Sequence, residues 1–287
     1  MNNKICMVHG HKMYLDDKDS LGLLSNNGIF EEQEVAVVKE QVKSGDTVLD
    51  IGANIGYYTL IFAKLVGKQG KVFAFEPEPD NFALLQKNIE INGYSNIVLI
   101  PKAVSDKNEI IKLYLCEKNK GMHRAYNSIF CNKYIEIESI RIDDYFQQNN
   151  QTIDFIKMDI EGYEYTALQG MLNILRNNKN IKILTEFSPA ASLENGIDLT
   201  LYVQLLTELG FTIYAIEEKM AIIEPNVLYQ QLKIVKSVVH NLLQEVNEGK
   251  QEGDIGQITT ELCKYFQDKH YNRPVFENFL CMRDDNL

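Results

Sequence analysis

The segment Val48-Leu49-Asp50-Ile51-Gly52-Ala53-Asn54-Ile55-Gly56 constrains this chain more than any other stretch of it. It starts as a short run without polar alternation, the pattern of a strand covered on both faces in a parallel sheet. It then enters a turn holding two glycines and leaves as YYTLIFAKLV (57–66), which reads as a helix. Glycine lets the chain turn tightly and lets a ligand approach the backbone. The N–H groups that open the helix can hold an anionic group such as a carboxylate. The next apolar run, KVFAFE (71–76), closes on Glu76, whose carboxylate can accept two hydrogen bonds from a ribose diol. Together these features predict a nucleoside-bearing cofactor at the carboxyl edge of a parallel sheet.

The alternation continues on both sides of this unit. EEQEVAVVKEQVK (31–43) places Val35, Val38 and Val42 at helical spacing as a lead-in helix. DNFALLQKNIEIN (80–92) reads as a helix and NIVLI (96–100) as a strand. Residues 110–140 predict two strands around a polar, mobile loop, KNKGMHRAYNS. The α/β pattern resumes with a strand in 152–160, a helix over 163–176, strand IKILTEF (181–187), a helix over 198–209 and strand FTIYAI (211–216). Residues 225–275 are polar with one apolar stripe, Leu228, Leu232, Val235, Val239 and Leu242, and FENFLCM (276–282) is a closing strand. Short connections between alternating elements predict right-handed βαβ units in one sheet. The expected organisation is one domain over 1–287: an extension and lead-in helix (1–45), a cofactor-binding core (46–223), a helical insertion (225–275), and a final strand and tail (276–287).

Composition narrows the partners. The 287 residues carry 29 Lys and Arg against 40 Asp and Glu, a formal charge of −11, which argues against a nucleic-acid groove. The five cysteines, Cys6, Cys116, Cys131, Cys263 and Cys281, are odd in number, scattered and without metal spacing, so free thiols are expected. The first residues lack the pattern of a signal peptide and no apolar run reaches membrane-spanning length. A cytoplasmic protein without membrane contact is the expectation.

Glycine spacing selects the cofactor. A dinucleotide turn has G-x-G-x-x-G, whereas Gly52 and Gly56 bracket Ala53-Asn54-Ile55, so NAD becomes the minor alternative. The pattern D-x-G-x-N-x-G with an acid after the second strand resembles motif I of class I S-adenosylmethionine (SAM) methyltransferases. Over a wider span, Phe75-Glu76-Pro77 with Asn81 and Asn88, Asp159-Ile160-Glu161-Gly162 with Glu164, and ILTEFSP resemble the FkbM family of methyltransferases, from about Phe30 to about Pro189. The resemblance implies an α/β, Rossmann-like class I methyltransferase fold: a seven-stranded, mostly parallel sheet with its last strand antiparallel and helices on both faces. It implies SAM as cofactor and S-adenosylhomocysteine as product. By position, Gly52, Asn54 and Gly56 would line the methionine side, Glu76 would bind the ribose hydroxyls, and Ala103 and Val104 would lie near adenine. Asp50, Tyr57, Thr59, Pro77, Asn81 and Asp159 complete the implied cofactor set, with Glu31 where the family carries a glutamate near the cofactor.

Methyl transfer from a sulfonium is an in-line displacement, so alignment and exclusion of water dominate, and a hydroxyl acceptor needs a general base. Glu161 is the preferred base or acceptor-orienting group, Asp159 supports the sulfonium side or shares that role, and Glu186 is a third candidate. No metal is expected, although these three carboxylates could share a cation. Other polar residues read more blandly. Glu164 is expected to be solvated or capping, His123 and Arg124 to sit in a polar loop where contact with an acceptor is the alternative to a solvated position, His9-Gly10-His11 not to bind zinc, and the 225–275 stripe to be packing, a cleft cap or a dimer contact. The expected activity is O-methylation of a hydroxyl on a small molecule, sugar or natural product. N-methylation of an amide or peptide, an NAD-dependent oxidoreductase and a non-catalytic SAM-binding protein remain as alternatives, and a homodimer is an open expectation.

Overall fold

In the computed structural model, residues 4–15, 30–116, 120–147, 151–216, 220–248, 255–268 and 277–283 are described. Along the chain the elements are β1 (Lys4–Val8), β2 (His11–Leu15), α1 (Glu32–Gln41), β3 (Thr47–Ile51), α2 (Tyr57–Val66), β4 (Lys71–Phe75), α3 (Pro79–Asn92) and β5 (Ile97–Ile100). Then come β6 (Ala103–Val104), β7 (Ile110–Leu115), β8 (Lys133–Ile140), α4 (Ile142–Tyr145), β9 (Phe155–Met158), α5 (Glu164–Gln169), α6 (Leu172–Asn177) and β10 (Lys182–Phe187). The chain continues through α7 (Pro189–Glu194), α8 (Leu199–Glu208), β11 (Thr212–Ala215), β12 (Ala221–Ile222), α9 (Pro225–Asn247), α10 (Ile255–Asp268) and β13 (Glu277–Met282).

The main sheet has the order β12-β11-β13-β10-β9-β3-β4-β5. Strands β5, β4, β3, β9 and β10 are mutually parallel, and β13 runs antiparallel between β10 and β11. These are the seven strands, mostly parallel with the last antiparallel, that the resemblance implies, with the two-residue β12 added antiparallel at the β11 edge. Every residue of β3 and β9 is buried, as the runs without polar alternation predict. Alternate side chains feed opposite cores: Leu49, Ile51, Ile156 and Met158 enter one, Val48 and Phe155 the other. From β3 the sheet grows outward to β4 and β5 on one side and to β9 and β10 on the other. The carboxyl ends of β3 and β9 therefore flank a switch point, where an open α/β sheet leaves a crevice for a ligand.

Four features depart from the sequence expectation. First, residues 4–15 form a β-hairpin. Asn88 and Asn92, one turn apart on α3, pair with its backbone: Tyr14 N donates to Asn88 Oδ1 (2.6 Å) and Lys12 N to Asn92 Oδ1 (3.0 Å). Asn88 Nδ2 also donates to Ile55 O (2.8 Å), so the hairpin, α3 and the glycine turn share one buried amide. His9 and His11 flank the hairpin turn and hydrogen-bond through Nε2 to the Tyr57 and Tyr94 hydroxyls, which gives both imidazoles a packing role. Second, the helix expected over 163–176 breaks into α5 and α6 at Gly170. A Cβ there would lie 1.9 Å from Ser105 O, because the chain passes against the β6 strand end. Third, residues 110–140 give β7 and β8, which β6 extends to a three-stranded sheet, and the described loop residues 120–132 include a bridge from Arg124 to Tyr114 of β7.

The fourth departure corrects the expectation of free thiols. Cys116 and Cys131 form a disulfide with Cα atoms 5.0 Å apart, while Cys6 and Cys281 are free and the Cys263 side chain lies outside the described set. Closing a loop of this length restricts the unfolded chain by about 3 kcal/mol. Thermal unfolding in dithiothreitol should therefore fall by several degrees relative to non-reducing buffer, and a Cys116→Ser/Cys131→Ser variant should match the reduced protein and no longer respond to reductant. Equal midpoints in both buffers for the unmodified chain would count against the bond.

On α9, Leu228, Leu232, Val235 and Val239 are buried against one core, and the helix packs on α7 and α8. The stripe is used for packing. Among the described residues, no helix is long and apolar enough to cross a membrane.

Candidate active site

The turn after β3 is shaped by backbone crowding. Gly52 has φ +83°, and a Cβ built on it would lie 2.0 Å from Asp159 O, so the exits of β3 and β9 touch here. Gly52 N and Ala53 N both donate to Phe75 O (3.0 Å each), which draws the turn onto the end of β4. Asn54 follows at φ 48°, a left-handed conformation that asparagine tolerates better than most residues. Its N–H donates to Glu76 Oε2 (2.8 Å), and Glu78 N donates to Glu76 Oε1 (2.9 Å). A carboxylate has about four lone-pair positions, so Glu76 keeps acceptor capacity beyond these two bonds. Burial pushes its proton affinity up to a pKa of about 7, against the two backbone donors and with Glu78 and Asp50 adding to the rise.

A cleft opens beside this turn. Gly52, Asn54, Glu76, Pro77 and Asn81 line it together with a largely apolar set, Ala103, Val104, Leu113 and Tyr163. Asp159 and Glu161 also line it, as do Lys102 and His123. The chemistry of these groups fits a nucleoside with a zwitterionic tail: a buried carboxylate for a diol, a largely apolar lining, and a turn with glycine where a side chain would block the approach.

The expected site residues divide into two sets. Gly52, Asn54, Glu76, Pro77, Asn81, Ala103, Val104, Asp159 and Glu161 come together at the cleft. Glu31, Asp50, Gly56, Tyr57, Thr59 and Glu186 do not line it, and most of these make other contacts in the fold. Thr59 Oγ1 donates to Asp50 Oδ2 (2.5 Å) inside the core, which ties α2 to β3. Tyr57 spends its hydroxyl on Phe30 O (2.5 Å) and His9. Gly56, at φ +98°, starts α2 against Leu85. Glu31 accepts from the Tyr58 hydroxyl (2.7 Å) at the start of α1.

Glu186 stands beside Asp159 and Glu161 without lining the cleft. Ligand oxygens of Asp159, Glu161 and Glu186 all fall within 4.8 Å of one another, a spacing that would accommodate a cation. Two fixed cations already serve this group. Lys157 Nζ lies 2.9 Å from Asp159 Oδ2 and 4.5 Å from the centre of the Tyr58 ring, and Arg124 is ion-paired with Glu161 Oε2. Burial, followed by the neighbouring Glu161 and Asp159, pushes Glu186 well above the ordinary carboxylate range, and its Oε2 is buried without a hydrogen bond. Burial also raises Glu161, with Arg124 opposing. Glu161 has φ 58°, and the loop that presents it is braced by Glu164, which accepts from Ile160 N (3.0 Å) and Gly162 N (3.0 Å). Glu164 is buried, so the solvated reading fails and the capping reading holds in this altered form. Among the described residues, three of the four non-glycine residues with positive φ, Glu31, Asn54 and Glu161, cluster around the switch point, where stored strain commonly marks function.

Sequence reasoning passed over Lys157 and placed Arg124 in a solvated loop, whereas the Arg124 side chain is buried. Lys157 had a signal, being one charge inside the buried run FIKM. Arg124 had none, because its partner lies 37 residues away.

The sequence matches the methyltransferase FkbM domain over residues 50–213, more than half of the chain. The chain belongs to the FkbM methyltransferase family. As an FkbM methyltransferase it uses SAM, and the matched span runs from Asp50 through the whole cleft to β11. It is 24% identical over 148 residues to the hexuronic acid methyltransferase AglP of Haloferax volcanii, covering 51% of this chain and 59% of that one. A protein-L-isoaspartate O-methyltransferase of Methanococcoides burtonii is 37% identical over 60 residues, 21% of this chain and 30% of that protein. The chain thus spans less than two thirds of these curated relatives. A solved SAM-dependent O-methyltransferase from Thermotoga maritima aligns with a TM-score of 0.42 at 14% identity, covering 77% of this chain and 72% of that one.

The proton affinity of Glu76 sets a pH dependence. A ribose diol held by Glu76 would donate to the anion, so a proton on Glu76 would compete with the cofactor. S-adenosylhomocysteine affinity, measured by calorimetry, should fall roughly tenfold per pH unit below about pH 7 and level off above it. The ligand-free fold should respond in the opposite sense. The raised values of Glu76 (about 7) and Asp50 (about 6) contribute stability at pH 4 that is lost as pH rises through them.

Proposed function

We propose that this FkbM methyltransferase methylates a hydroxyl oxygen of a small molecule, sugar or natural product at the open side of the cleft. The observation that carries the reading is the group Asp159, Glu161 and Glu186: carboxylates gathered at the end of β9 and β10, two of them with raised proton affinity, beside the cleft that Gly52 and Glu76 line. A base for a hydroxyl needs such affinity, because a carboxylate of ordinary acidity is a poor proton acceptor near neutral pH. The relative that carries the name hexuronic acid methyltransferase supports a sugar among the candidate acceptors.

In this reading Glu76 holds the ribose hydroxyls, Gly52 and Asn54 face the methionine portion, and Ala103 and Val104 flank adenine. When bound, SAM supplies an electrophilic methyl group on a sulfonium. Asp159, held by Lys157, presents negative charge toward that sulfonium. Glu161 receives the acceptor's proton as the oxygen attacks, so the acceptor leaves as a methyl ether and the proton stays on the carboxylate. The apolar lining and the loop bearing His123 exclude water, which would compete as a nucleophile.

The test is a panel of hydroxyl, amine and amide acceptors incubated with SAM and read by mass spectrometry for a gain of one methyl group. Methyl ethers from hydroxyl acceptors are expected. Methylated amides or peptides would replace the reading with N-methylation, and thermal protection by NAD instead of S-adenosylhomocysteine would remove it.

A further inference from the structure

We propose that Arg124 is a positioning residue for the transfer reaction: its guanidinium fixes the Glu161 carboxylate as an anion through Oε2 and leaves Oε1 as the oxygen for the acceptor. The proposal rests on the reading of Glu161 as the proton acceptor. Arg124 is 1% exposed and is the largest fully buried side chain among the described residues. A buried guanidinium costs several kcal/mol unless it is paired and hydrogen-bonded, so a fold that encloses one beside a reaction cleft needs a reason.

The loop is built to hold this one side chain in place. Arg124 N donates to Tyr114 O (2.9 Å) and Tyr114 N donates to Arg124 O (2.7 Å), a two-way bridge to β7. The Cys116–Cys131 bond closes the loop at its base. Beyond Arg124, Glu194 at the end of α7 accepts from the Tyr126 hydroxyl (3.0 Å), Ser128 Oγ (2.8 Å) and Ile129 N (2.8 Å). The partner is equally fixed. Glu161 sits at φ 58° in a turn braced by Glu164, and Asn195 Nδ2 donates to the adjacent Gly162 O (3.0 Å). Each member of the pair is therefore presented by a backbone segment secured independently of the pair itself.

The charges facing Glu161 show what the guanidinium does there. Burial favours a proton on Glu161, and so do the acids Asp159 just after β9, Glu186 from β10 and Glu164 from α5. Against them stand Arg124 and Lys157, and Lys157 Nζ is bonded to Asp159 Oδ2. On the loop itself, the Tyr126 hydroxyl donates to Glu194 and does not titrate near neutrality, since burial raises it far above its ordinary range. Arg124 is thus the cation in direct contact with Glu161, and without it the carboxyl is expected to hold its proton and to lose its orientation.

The experiment follows Glu161 by carbon NMR in the full chain saturated with S-adenosylhomocysteine, with glutamate labelled at Cδ and the Glu161 signal identified by its loss in Glu161→Gln. In Arg124→Gln the Glu161 titration midpoint should rise by about one pH unit or more, a tenfold change in acidity, with S-adenosylhomocysteine affinity unchanged. A midpoint that stays put would overturn the proposal. A second measurement does not require the Arg124 variant to fold: the two Nη signals of Arg124 should be distinct in the wild type, reporting hindered rotation, and should merge in Glu161→Gln. Free rotation in the wild type contradicts the proposal. Full turnover by Glu161→Gln would remove the base assignment whatever the spectra show, whereas an inactive Glu161→Gln with an unmoved midpoint in Arg124→Gln removes the Arg124 inference alone.

Discussion

Replacing Gly52 with alanine is expected to destabilise the protein by on the order of 4 kcal/mol and to abolish cofactor binding in whatever fraction stays folded. Two costs combine. Alanine at φ +83° is strained, and its Cβ would meet Asp159 O at 2.0 Å, a backbone atom that no side-chain rotation can move aside. Relief requires β3 and β9 to separate at their carboxyl ends, where Gly52 N is bonded to Phe75 O and Asp159 N to Ile51 O. Gly93→Ala provides the control. That residue also has a positive φ, +68°, but nothing lies within 4 Å of its added Cβ, so strain alone should cost about 1 kcal/mol. Denaturant midpoints for both variants, with binding of S-adenosylhomocysteine measured on the folded fraction, separate strain from collision. Equal losses in the two variants would mean that the β3–β9 approach is not the reason for Gly52.

Glu161→Gln is expected to lower turnover by about 10²- to 10⁴-fold with little change in S-adenosylhomocysteine affinity, the range general-base removal usually gives. Stability should fall as well, because Arg124 would remain buried beside a neutral amide. Glu186→Gln should behave differently. Burial, followed by the neighbouring Glu161 and Asp159, raises the proton affinity of Glu186 well above the ordinary range, so the amide replaces a carboxyl whose neutral form the site already favours. Its stability should be unchanged or higher, and its turnover should drop far less. The reverse ranking in steady-state assays would make Glu186 the proton acceptor and Glu161 a partner for Arg124.

The sequence made the centre of the sheet readable because local chemistry decides it. Unbroken apolar runs specified β3 and β9, and the glycine at 52 marked a turn that no other residue can make against Asp159 O. The acid at 76 announced itself by closing the next strand. What failed to show was set by contacts between distant segments. Asp50 and Thr59 belong to the family's motif by position, yet α2 turns Thr59 back onto Asp50, and both end in the core. The 4–15 hairpin depends on Asn88 and Asn92 from α3, some 80 residues away, and its own strands are too short to declare themselves. The Cys116–Cys131 bond and the burial of Arg124 have the same origin: a loop polar enough to read as solvated is folded inward by partners that lie on β7, α7 and the turn at Glu161.

The most direct test of the account is a calorimetric titration of the wild type and of Glu76→Gln with S-adenosylhomocysteine at pH 8. Glu76 joins the turn after β3 to the end of β4 and offers the buried carboxylate on which the cofactor reading depends. The amide can accept at only one of its two polar atoms, so loss of a charge-assisted diol contact should weaken binding by about 2–3 kcal/mol, a factor of roughly 30 to 150. One-to-one binding by the wild type and weakening of that order in the variant are the predicted results. Equal affinity in the two proteins, with Glu76→Gln folded, would contradict the placement of SAM at this cleft.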